Sequence, residues 1–157
     1  MFHLKPTLFP ASLGGVKNPE PFVLIVEDMP VDAMILERML RKVEVLGQIR
    51  VLSAGNAALD YLAGHPPYED RKTNPLPSFI FLDMQLPDMS GLEILSRIKS
   101  QPALSHIPVV MHSDGRNPSE IKALYAAGAA SYLRKSNNLE DLKEIVQHFG
   151  QYFTLAS

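Results

Sequence analysis

Residues 79–95 read FIFLDMQLPDMSGLEIL. The four apolar residues Phe79-Ile80-Phe81-Leu82 form a short continuous run, the mark of a strand covered on both faces of a parallel sheet. The run stops at Asp83. Pro87 and Gly91 fall in the turn that follows, and Leu92, Leu95 and Ile98 then recur at core spacing through a helix over Leu92–Lys99. A strand that ends in an acid and passes through a short loop into a helix is one unit of an α/β fold.

The same unit repeats on either side. Upstream, Phe22–Val26 is an apolar strand that stops at Glu27-Asp28. A helix follows Pro30, with Val31, Met34, Ile35, Met39 and Leu40 near one face, and Gly47 lies in the turn after it. Ile49–Ser53 is a second strand, and Asn56–Ala63 is a helix closed by Gly64. His65–Pro77 is a polar loop with four prolines, long for a connection inside one domain. Downstream, Ile107–Met111 is a strand ending at His112-Ser113. Ser119–Ala127 is a helix with Asn117 or Ser119 as its cap and Gly128 past its end. Ser131-Tyr132-Leu133 is the fifth strand and Leu139–Phe149 the fifth helix. Five β-α units predict a doubly wound, flavodoxin-like (βα)5 parallel sheet with strand order 2-1-3-4-5. The domain spans 22–149. Residues 1–21, with four prolines and Gly14-Gly15, read as an irregular arm, and residues 150–157 as a short tail.

Composition narrows the classes. Fifteen basic and seventeen acidic residues give a formal charge of −2, which offers no basic field for DNA or an anionic membrane. There is no cysteine, so disulfides and thiolate metal sites are excluded. No apolar run reaches the ~18–20 residues that cross a bilayer, and residues 1–21 lack the apolar core of a signal peptide. A cytoplasmic protein is expected. The residues after Phe149 are too few for a helix-turn-helix, so no DNA contact is expected from them.

In a sheet of this order, ligands bind beyond the carboxyl ends of the strands. Strand 1 delivers Glu27 and Asp28 there, strand 3 Asp83, strand 4 Ser113, and strand 5 leads to Lys135. Strands 1, 3, 4 and 5 are neighbours, so topology alone brings these side chains to one edge. Three close carboxylates repel one another unless a cation lies between them. Oxygen ligands without His or Cys point to a hard ion, Mg²⁺ above all. A carboxylate beside Mg²⁺ can attack a phosphoryl group, with a Lys ammonium and a hydroxyl neutralising the transferred oxygens.

These residues resemble the response-regulator receiver family from Phe22 to Phe149. The resemblance rests on VLIVEDMPVD (23–32), the motif at 79–95 with Asp83, Leu86-Pro87 and Gly91 in register, IPVVMHSDG (107–115) and AAGAASYLRKS (126–136). It implies that Asp83 is the phosphoacceptor and that Glu27 and Asp28 are the acidic metal pair, Asp28 binding directly and Glu27 mainly through water. The Gln85 backbone carbonyl would complete the protein ligands to Mg²⁺. Ser113 takes the place of the switch hydroxyl, Tyr132 of the switch aromatic and Lys135 of the invariant lysine. The implied donor is a histidine kinase. The implied output is the face formed by the fourth helix, fifth strand and fifth helix, read by a downstream protein or a phosphotransfer protein.

The chain departs from the family pattern in places. Ser136 follows Lys135 where the family usually has proline, often in a cis bond, and a non-proline cis bond costs ~2.5–4 kcal/mol. A trans bond with a shifted loop, or a strained one, is therefore expected. Arg134 adds a second cation, and Asp114 stands where the family commonly has a small residue. The loop HPPYEDRKTNPLPS (65–78) and the ending HFGQYFTLAS (148–157) resemble the small regulators paired with phytochromes, the red-light-sensing histidine kinases. That resemblance implies a homodimer through the same face, with Tyr152-Phe153 packing there.

Blander roles exist for each residue alone. Glu27-Asp28 could serve a helix dipole, Asp83 an Asx turn, Ser113 a loop carbonyl or N–H, Lys135 the solvated surface and Tyr132 the core. The five histidines lack metal-ligand spacing and read as surface or loop residues, with His112 the one near the site. Two other functions compete. One is a receiver-fold binding module with slow or absent phosphorylation. The other is a Mg²⁺-dependent phosphohydrolase, disfavoured because Gln85 stands where such enzymes place a second acid.

Overall fold

A computed structural model describes residues 22–115, 117–135, 139–149 and 154–155. Strand β1 (Phe22–Val26) lies near the middle of a five-stranded parallel sheet, and all five of its residues are buried. It pairs with β3 (Gln48–Leu52) on one side and β4 (Phe79–Asp83) on the other. Beyond β4 come β5 (Val109–Ser113) and β6 (Ser131–Arg134), both parallel. The order β3-β1-β4-β5-β6 is the predicted 2-1-3-4-5 order, with the labels moved on by the two-residue strand β2 (Val45–Leu46). The fold is flavodoxin-like.

Helices α1 (Pro30–Lys42) and α5 (Leu139–His148) cover one face. Helices α2 (Gly55–Ala63), α3 (Gly91–Ser100) and α4 (Pro118–Ala126) cover the other. Alternation along the strands divides the core. Val23, Ile25, Phe79, Phe81, Val110 and Leu133 point toward α1 and α5, while Leu24, Val26, Ile80, Leu82, Val109 and Met111 point toward α2, α3 and α4. Gly64 closes α2 in the left-handed conformation at φ 75°, as its position predicted. Asn117, rather than Ser119, caps α4, its side chain accepting from Ser119 N at 2.9 Å.

The structure bears out Ile35, Met39 and Leu40 on the core side of α1 and corrects Val31 and Met34. Ala33, Leu36 and Leu40 form the buried stripe, joined by Met39, whereas Val31 and Met34 are 58% and 46% exposed. A stripe at i, i+3 and i+7 through Ala33 meets the sheet with a small residue close to the strands, which turns Val31 and Met34 outward.

The proline-rich loop is well tied. Arg71 donates to the carbonyls of Tyr61 and Leu62 at the end of α2 and to that of Asn74. The Tyr61 hydroxyl donates to Pro75 O at 2.7 Å. Strand β2 pairs antiparallel with β7 (Thr154–Leu155). The described part of the tail thus lies beside the end of α1, while Tyr152 and Phe153 lie outside the described residues. The arm at 1–21 and Ser136, with its peptide bond to Lys135, also lie outside them.

Candidate functional site

Strand alternation selects which strand-end side chains meet. Glu27 continues the parity of Val23 and Ile25, Asp83 that of Phe79 and Phe81, His112 that of Val110, and Lys135 that of Leu133. All four therefore stand at the carboxyl edge on the α1–α5 side. Ser113 and Tyr132 have the opposite parity, on the side of α4. The predicted residues thus form two adjoining groups, an ionic cluster and a hydroxyl pair.

In the cluster, one carboxylate oxygen each from Glu27, Asp28 and Asp83 lies within 4.8 Å of the others. The Lys135 ammonium stands 2.6 Å from Glu27 Oε1, 3.1 Å from Asp32 Oδ2 and 3.4 Å from Asp83 Oδ2. Glu27 and Asp83 are buried, Lys135 nearly so, and Asp28 half-exposed. Glu27 Oε1 is buried, and the Lys135 ammonium is its close ion-pair partner. Glu27 Oε2 accepts from Met29 N at 3.2 Å.

Electrostatics follow from this crowding. Burial pushes the Glu27 carboxyl up to about 7; the Asp83 charge adds to the rise, and Lys135 and the Met29 N–H oppose it. Burial alone would lower Lys135, but Glu27, Asp32 and Asp83 outweigh it and hold the ammonium above its ordinary value. Among the described histidines, His112 is the exception. It is 6% exposed in β5, and burial, reinforced by Lys135, pushes it down to about 4, so it is neutral. The expectation of a surface or loop histidine fails because β5 continues through His112, with β4 and β6 pairing on either side.

The backbone around Asp83 is tightly built. Gln85 N donates to Asp83 Oδ1 at 3.4 Å, Gly91 N donates to Met84 O at 2.7 Å, and Gln85 bridges to Ser90. A Cβ on Gly91 would lie 2.3 Å from Asp83 O, so glycine is required by close backbone approach. In the second group, Ser113 Oγ accepts from Gly115 N at 3.3 Å. The Tyr132 hydroxyl donates to the carbonyls of Gly115 and Ser113, tying the strand carrying Lys135 to the loop after Ser113. Lys135 N also donates to Ser113 O at 2.9 Å.

Two residues at this edge were missed from the sequence. Asp32 pairs with Lys135 from the first turn of α1; its signal was the parity of Lys135, which faces the helix carrying Asp32. Asp88 accepts from Gly55 N and Asn56 N at the start of α2; no local pattern announces a cap supplied from another loop.

A model of the response regulator receiver domain matches residues 23–147. The chain belongs to the response-regulator receiver family. Response regulator Rcp1 of Synechocystis sp. is 35% identical over 135 residues, covering 86% of this chain and 90% of Rcp1. The crystal structure of the Mn²⁺-bound form of Rcp1 superposes with a TM-score of 0.71 at 33% identity, covering 88% of this receiver and all of that chain. The phosphorylated cyanobacterial phytochrome response regulator RcpA gives 0.72 at 31% identity, with 88% and 100% covered. The bacteriophytochrome response regulator AtBRR gives 0.76 at 29% identity, with 89% and 99% covered. Among the described residues, no helix of this receiver is long and apolar enough to cross a membrane.

Proposed function

We propose that this receiver takes a phosphoryl group on Asp83 from the phosphohistidine of a histidine kinase, and that the kinase is of the phytochrome type. The observation that carries the reading is the Lys135 ammonium 3.4 Å from Asp83 and 2.6 Å from Glu27, beside three carboxylates within 4.8 Å of one another. An Asp83 carboxylate oxygen attacks phosphorus, the phosphorus–nitrogen bond breaks, and the imidazole keeps the electron pair and takes up a proton. Lys135 faces the transferred oxygens, and the Ser113 hydroxyl turns to them from the other side.

The donor set fits a hard divalent cation, because three carboxylates crowd together with no His or Cys among them. Glu27, Asp28, Asp83 and the Gln85 carbonyl would hold Mg²⁺. When bound, the ion supplies positive charge that offsets the acids and the phosphoryl oxygens. Support for metal and modification comes from relatives solved as a Mn²⁺-bound form and as a phosphorylated form. Support for the kinase class comes from RcpA and AtBRR, which are phytochrome and bacteriophytochrome regulators.

The modified site acts through Ser113 and Tyr132 on the α4-β6-α5 face, which a downstream protein, a phosphotransfer protein or a second copy of the chain reads in the cytoplasm. The receiver catalyses only its own modification and its reversal. Incubation with acetyl phosphate and Mg²⁺, read by intact mass, should add one phosphoryl group, and Asp83→Asn should abolish it. No modification of the wild type would sink the reading in favour of a binding module. Steady turnover of a small phosphomonoester would favour a phosphohydrolase.

A further inference from the structure

Lys135 is shared among three acids, and only two of them belong to the site as the sequence defines it. Glu27 and Asp83 come from strand ends, whereas Asp32 comes from the first turn of α1. The ammonium donates to Asp32 Oδ2 at 3.1 Å, and Glu27 Oε1 lies nearer still at 2.6 Å. Asp32 is also the most exposed of the three, at 33%, against 1% for Glu27 and 8% for Asp83. One of the three contacts of Lys135 is therefore made with the α1 wall of the cleft.

An ammonium has three N–H donors, and here three carboxylates face them. A phosphoryl group arriving on Asp83 brings further negative charge and oxygens of its own. The contact with Asp83 can pass to an oxygen of the phosphoryl group, since Asp83 itself would carry that group. Asp32 would not carry the group, so its contact must be broken or kept at the expense of one donor. Asp32 also adds a fourth carboxyl group to an edge that already carries Glu27, Asp28 and Asp83 around one lysine.

We propose that Asp32 is a positioning residue that competes with the phosphoryl group for Lys135, and so limits how tightly this receiver holds its phosphorylated form. The inference rests on the phosphoacceptor reading given above. Asp32 does not touch the reacting atoms; it acts through Lys135. Its competition lowers affinity for a phosphoryl mimic and shortens the lifetime of the aspartyl phosphate.

The test uses the full chain at saturating Mg²⁺, so that a changed metal affinity does not intrude, with beryllofluoride as the probe. Asp32→Asn should bind beryllofluoride about three- to tenfold more tightly than wild type, the range expected for releasing a partly exposed charge-assisted bond. Asp32→Glu, which restores the charge, should return toward wild type. In a Lys135→Met background, Asp32→Asn should lose most of its effect, an outcome that a general change in helix stability would not produce. Unchanged or weaker binding by Asp32→Asn, with the wild type binding normally, overturns the inference and leaves the phosphoacceptor reading intact. An effect of equal size without Lys135 overturns it as well. Failure of the wild type to bind beryllofluoride sinks the phosphoacceptor reading and the competition with it.

Discussion

The carboxylate of Asp88, in the loop after β4, accepts hydrogen bonds from Gly55 N at 2.8 Å and Asn56 N at 2.7 Å, the first N–H groups of α2. The residue at the N-cap position, Ala54, makes no side-chain cap of its own. One acid therefore satisfies a distant helix start and pins the loop that carries Gln85. Asp88→Ala should cost about 0.5–2 kcal/mol in urea unfolding, the worth of a side-chain cap.

That cap also predicts a pH dependence. The N–H groups of Asn56 and Gly55 hold the Asp88 carboxyl below its ordinary value of 3.8. A carboxyl lowered by folding stabilises the fold above its unfolded value and loses that contribution as pH falls through the folded one. The stability gap between wild type and Asp88→Ala should be constant from neutral pH down to the ordinary carboxylate range and close only below it. A gap that shrinks already between pH 7 and 5 would refute the cap.

Divalent metal should act on the acid cluster in a way that separates ligand from fold. With Mg²⁺ about a hundredfold above its dissociation constant, the folded state should gain about 2.7 kcal/mol, seen as a raised Tm that chelator reverses. Asp28→Asn should lose that gain. In chelator, however, the same substitution should leave stability unchanged or raise it, since it removes one of several crowded like charges. Equal Mg²⁺ shifts in wild type and Asp28→Asn would exclude Asp28 as a ligand.

Gly91 is required by space rather than by a special backbone angle. The added methyl of Gly91→Ala would meet Asp83 O at 2.3 Å and Met84 Cα at 2.9 Å, atoms of a backbone that cannot swing aside. The substitution should cost at least about 1–3 kcal/mol, the usual range for overpacking. It should also slow modification of Asp83 by acetyl phosphate, because relief of the clash displaces the proposed phosphoacceptor.

Tyr132→Phe removes the hydroxyl that ties β6 to the carbonyls of Gly115 and Ser113. The expected cost is about 0.5–1.5 kcal/mol. Amide exchange should rise in the loop after β5, while modification of Asp83 persists, since the hydroxyl bonds to that loop and not to the acids. Loss of modification in this variant would give Tyr132 a part in the chemistry itself.

The sheet was legible because continuous apolar runs such as Phe22–Val26 and Phe79–Leu82 admit few other readings, and each ends in a polar residue that marks the carboxyl edge. The grouping of Glu27, Asp83 and Lys135 was legible for the same reason, with strand parity supplying what topology left open. The face of α1 was legible only in its second half, at Ile35, Met39 and Leu40. Val31 and Met34 have core-like side chains, and only contact with the sheet reveals that Ala33 and Leu36 take the inner face. Asp32 and Asp88 were missed because their partners lie far along the chain, where no spacing rule reaches. Strand β2 was hidden similarly, since two residues form a strand only when Thr154–Leu155 arrives beside them.

That last pairing has a consequence for synthesis. A chain emerging from the ribosome can close β1 on β3 early and complete the five-stranded sheet once residue 134 is free. Val45 and Leu46 must wait for residues 154 and 155. Through that interval Arg41 can hold Val45 O, as it does at 3.1 Å in the folded chain, but the remaining groups of the pair lack a strand partner, and an unpaired edge invites the matching stretch of another copy. Tail exchange between copies should therefore rise with the concentration at which the chain folds, and folding in dilution should favour chains that close on themselves.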